Sequence, residues 1–275
     1  MTGKLIKYEI KSSIKLIAVM WAALIAASLL FSLSQNLMEH TMEGSSDGFS
    51  TLMSIIELVT GFMYILVFIA LAAATVIIVI MRFYKGLLGD EGYLMHTLPV
   101  KPWQLIISKG IVAAGVVFVS VIAAILSMGI LTGLNSLSII PDVFGSMAEA
   151  IKKEPELLLV MIEALILVVM SLLKSIYQVY ASLAIGQLAG KHRIILSLGA
   201  YIGLSTAVTI FLMVLAMISS RFSIGTWLIS WEGTSEDVFA LGQATLGIMF
   251  LLTALQLVAF HIITERILSR GLNLQ

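Results

Sequence analysis

The side chains able to do chemistry are few and widely scattered. Zero Cys excludes thiolate catalysis, disulfides and Cys-ligated metals. The four His, at 40, 96, 192 and 261, show neither H-x-x-x-H nor H-E-x-x-H spacing, so no dedicated metal site is expected. Ser171 and Lys174 stand one helical turn apart, as a Ser–Lys dyad would require, but no further element supports a nucleophile. Gly186-Gln-Leu-Ala-Gly190-Lys191-His192 comes nearest to a phosphate loop. Its glycines are one residue too close, no Ser or Thr follows Lys191, and no strand precedes it. The chain is therefore not expected to be an enzyme or to hold a cofactor or metal of its own.

One constellation is unusual. Glu163 and Lys174 lie in an apolar run, and at 100° per residue they return to within about 20° of one another, with Gln178 one turn further. They stand roughly 16 Å apart along the axis, too far for an ion pair. Two readings stand: a polar face toward a dimer interface or translocation path, or two residues reaching for opposite headgroup layers. Glu163, Lys174 and Gln178 are the candidate translocation face.

The elements that position these residues are dictated by composition. With 60% hydrophobic and 12% charged residues and a mean hydropathy of +1.07, the chain lacks the surface of a soluble globule. Six runs are long enough to cross about 30 Å of hydrocarbon: 16–34, 58–81, 105–131, 157–180, 194–218 and 240–263. In lipid each must satisfy its backbone internally, which predicts six transmembrane helices and no strands. The fold class is an all-α polytopic membrane protein.

Charge sets the expected orientation. The bases Lys4, Lys7, Lys11, Lys15, Arg82, Lys85, Lys101, Lys109, Lys174, Lys191, Arg193, Arg266 and Arg270 lie in or beside the termini and the second and fourth loops. Only Lys152, Lys153 and Arg221 fall opposite. By the positive-inside rule both termini are cytoplasmic. Equal numbers of basic and acidic residues leave no net attraction for nucleic acid. The first apolar run is too long for a signal-peptide core and reads as a retained anchor. Ahead of it, Lys4, Lys7, Lys11 and Lys15 share one side of a helical wheel. They predict a short amphipathic helix on the inner leaflet, or serve only as a basic flank.

The polar stretches 35–56, 82–104, 134–156 and 219–239 are too short for a soluble domain, so residues 1–275 are expected to form one transmembrane domain without a nucleotide-binding domain. Gly129/Gly133 and Gly199/Gly203 have the small-xxx-small spacing of closely packed helices. Phe222, Trp227, Leu228 and Trp231 beside Glu232, Glu236 and Asp237 suit a re-entrant helix or an aromatic interfacial belt equally well.

The second loop is the most informative. Gly89-Asp90-Glu91-Gly92-Tyr93-Leu94-Met95-His96-Thr97-Leu98-Pro99 places an acidic pair before a turn glycine, then a short amphipathic segment stopped by proline. Val100-Lys101-Pro102-Trp103 then leads into the third span, with proline at a helix start and tryptophan at the interface. This loop resembles the coupling loop between spans two and three of type-2 ABC exporter permeases, above all a subgroup from Gram-positive bacteria. It has two fewer residues between Gly92 and Pro99 than the broader family, and no acid after Leu94. The resemblance covers about twenty-eight residues by motif and the rest of the chain by architecture.

It implies a permease subunit of the bacterial cytoplasmic membrane, paired with a second copy or a related permease and with two copies of a separate ABC ATPase that binds ATP and Mg. Asp90, Glu91, Gly92, Tyr93, Leu94, Thr97, Leu98 and Pro99 would then form the ATPase-coupling loop. The exported cargo would be a peptide, a lipid or a hydrophobic small molecule. The competing expectation is a stand-alone secondary transporter, a class that usually carries broken helices and buried ionisable groups in several spans.

Overall fold

The structure is a computed structural model that describes residues 2–41, 47–89, 102–131, 139–189, 192–221 and 235–270. All regular structure among them is helical: α1 (Thr2–Thr41), α2 (Asp47–Phe83), a π-helical turn (Tyr84–Leu88), α3 (Pro102–Leu131), α4 (Ile139–Lys153), α5 (Glu156–Gln187), α6 (Arg193–Arg221) and α7 (Ser235–Arg270). Among the described residues six segments are long and apolar enough to cross a membrane: Ile17–Met38, Gly48–Leu88, Pro102–Leu131, Glu156–Gln187, Arg193–Ser219 and Phe239–Ser269. Each coincides with an expected span, and the chain is a multi-pass helical membrane protein.

The helices outrun the apolar windows that reveal them. The stretch 35–56, expected as a loop, is largely absorbed into the end of α1 and the start of α2. The 37 residues of α2 extend about 56 Å, well beyond the hydrocarbon thickness. The basic N-terminal segment is helical, as expected, but runs without a break into the first span. Lys7, Lys11 and Lys15 are exposed along it. Large apolar side chains stay on the outside of the bundle, among them Leu58, Ile194 and Met217, as a lipid solvent allows.

The chain divides into two compact units, residues 1–81 with 111–153 and residues 82–110 with 154–275. In the first, Leu24 and Ala27 of α1 pack with Tyr64 and Leu71 of α2, bordered by Trp21, Phe31 and Phe68. Gly61 admits the ring of Phe31, which stacks on Tyr64. Hydrophobicity does not hold helices together in lipid, so polar bonds between them carry weight. Ser120 of α3 accepts from Trp21 Nε1 at 3.0 Å and from Thr75 Oγ1 at 3.2 Å. Ser34 bonds Thr60, and the Tyr64 hydroxyl bonds Ser127.

In the second unit α5 packs against α6, α7 and the π-helical turn. Gln178 meets Ser205 and Gly186 meets Ser197, so α6 runs antiparallel to α5.

Candidate functional site

The second loop is anchored at both ends within the second unit. On its N-terminal side α2 does not simply stop. It widens into a π-helical turn in which Gly89 N–H donates to the Tyr84 carbonyl at 2.7 Å, five residues back. Such turns expose backbone groups that an α-helix would use and are frequent at functional positions. Gly86, Leu87 and Leu88 of this turn are buried. On the C-terminal side, Leu105, Ile106, Ser108 and Lys109 in the first turns of α3 are buried as well.

Two contacts join these ends. Lys109, only 4% exposed, donates from Nζ to the Arg82 carbonyl at 3.3 Å. Its ammonium also reaches the space over Gly86, where a Cβ would collide with Nζ and stand 3.0 Å from Cε. A lysine and a glycine four residues beyond the Arg82 carbonyl thus clamp the start of the loop to its end. An ammonium inside a helical bundle is tolerable only where carbonyls or acids receive it.

The clamp rests on an aromatic column. Phe83 is fully buried and stacks on Tyr180 of α5 with ring centroids 4.0 Å apart and planes inclined by 14°. Tyr180 meets the edge of Tyr177, and Tyr177 lies 5.4 Å from the His261 ring of α7. Gly110 brings the α3 backbone against Tyr177, since a Cβ there would stand 2.9 Å from the hydroxyl oxygen. Aromatic pairs at these separations are worth about 0.5–1.5 kcal/mol beyond their burial. Below the column, Gly186 touches the carbonyl and backbone of the next helix at Arg193 and Ser197. The loop ends are therefore in packed contact with α5, and through Tyr177 with α7.

The loop residues carried by this base, Asp90, Glu91, Gly92, Tyr93, Leu94, Thr97, Leu98 and Pro99, lie outside the described residues. So do Phe222, Trp227, Leu228, Trp231 and Glu232, while Glu236 and Asp237 belong to the first turn of α7.

The three polar residues of the fourth span are all on α5. Gln178 Nε2 donates to Ser205 Oγ of α6 at 2.7 Å, which makes it a helix-to-helix bond. Lys174 is partly exposed. Glu163 Oε2 is buried without a hydrogen-bond partner, and so is Nε2 of Gln243 on α7, the helix packed against α5. Ser171 Oγ donates to the Leu167 carbonyl at 2.7 Å, so its hydroxyl is turned to its own backbone rather than toward Lys174. His261 Nε2 lies 4.0 Å from Glu265, and among the described residues no three His, Asp or Glu side chains gather as a metal site would need.

Sequence reasoning passed over the Tyr177–Tyr180 pair and assigned no contact to Lys109 or Gly86. Lys109 was visible as a base and, with Ser108, as the close of the loop pattern 82–109. The available signal was its position inside the apolar run 105–131, where a lysine needs a partner. The two tyrosines on α5 stand at i and i+3, a spacing that places them together on one helix face. No family model, no curated protein and no solved structure matches this chain.

Proposed function

We propose that the chain is the membrane-spanning permease subunit of a bacterial ABC exporter, lying in the cytoplasmic membrane with both termini inside. A separate ATPase subunit binds ATP and Mg, docks on residues 90–99 and drives the export of a peptide, lipid or hydrophobic small molecule. A second permease copy or a relative completes the assembly. The single observation that carries the reading is the clamped base of the second loop. A coupling element must pass force from a partner to the membrane helices, and here the motif-bearing loop springs from ends locked by Lys109 and Gly86 onto the Phe83–Tyr180–Tyr177 column. The loop's Glu91-Gly92-Tyr93-Leu94 and Leu98-Pro99-Val100 supply the resemblance, and the basic residues around it support a cytoplasmic setting.

The test is affinity purification of the full chain from its native membrane. Recovery of a stoichiometric ATPase that is lost on Glu91→Arg or Leu94→Asp supports the proposal. Equal recovery with the variants contradicts it.

One observation favours a second reading, a carrier that works alone. The unpartnered Glu163 carboxylate oxygen inside a span is the kind of group that ion-coupled carriers use. Transport by the purified chain in vesicles without any nucleotide would select that reading.

A further inference from the structure

Three bases, Lys152, Lys153 and Arg221, break the charge asymmetry that orients the chain, and two of them end α4. This 15-residue helix, about 22 Å long, is too short to cross a membrane. Its position is restricted by the chain itself. Only Glu154 and Pro155 separate Lys153 from Glu156, the first residue of the fourth span, and the third span ends at Leu131. Both ends of α4 are thus tethered to adjacent spans on the same side of the bilayer.

Its residues are sorted by face. At 100° per residue Val143, Met147 and Ile151 fall on one stripe within an arc of about 80°. Gly145, Ser146, Glu149, Lys152 and Lys153 occupy the opposite side. The stripe is only partly covered by protein: Val143 is 47% exposed, and Met147 and Ile151 are half-buried. The two lysines stand roughly 130° to either side of the stripe's centre, where long side chains can lay their stems along the apolar layer and lift their ammonium groups to the phosphates. Their place in the last turn also suits the helix dipole, which explains why bases end this helix but not why the stripe is exposed.

We infer that α4 is a membrane-surface helix, its Val143–Met147–Ile151 stripe set into the leaflet where the third and fourth spans emerge and Lys152 and Lys153 paired with lipid phosphates. Apolar side chains on one face, an acid and bases on the other, and a tether of two residues to a span describe a helix that lies in the interface plane. The occupant of the exposed face is therefore lipid. The inference needs no ATPase partner and survives if the exporter reading fails.

The chain has no cysteine, so single-cysteine variants report on chosen positions alone. Full-length Val143→Cys, Met147→Cys and Glu149→Cys proteins, each carrying an environment-sensitive fluorophore, are placed in phosphatidylcholine–phosphatidylglycerol vesicles with nitroxide on the acyl chains. Quenching several-fold stronger at 143 and 147 than at 149 is expected. In the Val143→Cys background, Lys152→Glu with Lys153→Glu is expected to weaken the quenching and its dependence on phosphatidylglycerol. Should Val143→Cys fail to fold, Met147→Cys carries the same comparison. Equal quenching at all three positions overturns the inference. So does protection of position 143 together with disulfide formation between copies, which assigns the face to a second copy of the chain.

Discussion

Gly186 provides a test of the packing below the loop base. A methyl group placed on it would stand 2.8 Å from both the Arg193 carbonyl oxygen and Ser197 Cα, and would run into Ser197 Oγ. Carbon contacts are comfortable at about 3.5–4.0 Å, so α5 and α6 must part by roughly 0.7 Å or more. The serine hydroxyl can rotate, although it would give up its 2.8 Å bond to the Arg193 carbonyl. The backbone atoms cannot. Overpacking of this kind costs about 1–3 kcal/mol, while exchanging a helical glycine for alanine returns up to about 1 kcal/mol. The clash wins because its partners are rigid, and Gly186→Ala is expected to lose about 1–2 kcal/mol, a fall in Tm of several degrees.

Gly199 on α6 has nothing within 4 Å of the same imagined methyl. Gly199→Ala should therefore keep the Tm or raise it slightly by propensity alone. The assay is thermal unfolding of both purified variants in one detergent. A Gly186→Ala protein as stable as the parent refutes the reasoning. So does an equal loss in both variants, since that would place an unseen neighbour against Gly199.

Other perturbations have equally definite outcomes. Lys109→Met removes one donor to the Arg82 carbonyl at the loop base, a bond from a charged group worth about 1.5–3 kcal/mol. The protein should still insert in the membrane but capture less ATPase in the affinity assay. Phe83→Ala empties the stack on Tyr180 and should cost about 3–5 kcal/mol, read as loss of monodisperse protein on gel filtration. Trp21→Phe gives up one interhelical bond, worth on average about 0.6 kcal/mol in a bilayer, and should leave the Tm within a few degrees of the parent. Ser120→Ala should cost more, because Trp21 loses its acceptor while Thr75 retains only the Leu71 carbonyl. With membrane-impermeant thiol reagents, Lys85→Cys should react from the cytoplasmic side and Glu149→Cys from the opposite side.

The six spans were legible because an apolar run of twenty residues has few other uses. Their ends were not. Hydropathy marks the part of a helix that meets lipid, whereas α5 continues from Ala181 through Ser182, Ala184 and Gly186 because those residues are buried against protein. The Gly199/Gly203 spacing is one that chance also supplies, and nothing stands within 4 Å of a Cβ at either, whereas Gly186 makes a close approach whose partner on α6 a local motif cannot specify.

The stretch 134–156 was read by its polarity and so concealed α4, although Val143, Met147 and Ile151 repeat at the helical period. On α5 the shared face of Glu163, Lys174 and Gln178 follows from angle alone, because all three lie on one unbroken helix. Which of the three would be satisfied depended on Ser205, a residue of another helix. Lys109 and Gly86 are distant in sequence and ordinary in type, and only the folded chain brings them together.

The account depends on force entering through residues 90–99 from a nucleotide-hydrolysing partner on the cytoplasmic side. The most direct measurement installs a photoreactive probe at Leu94→Cys in the otherwise cysteine-free chain and irradiates native membranes. The account predicts a covalent adduct with an ATPase subunit, diminished when Lys109→Met loosens the loop base. Efficient labelling of position 94 from the cell exterior, with no ATPase adduct, would contradict it.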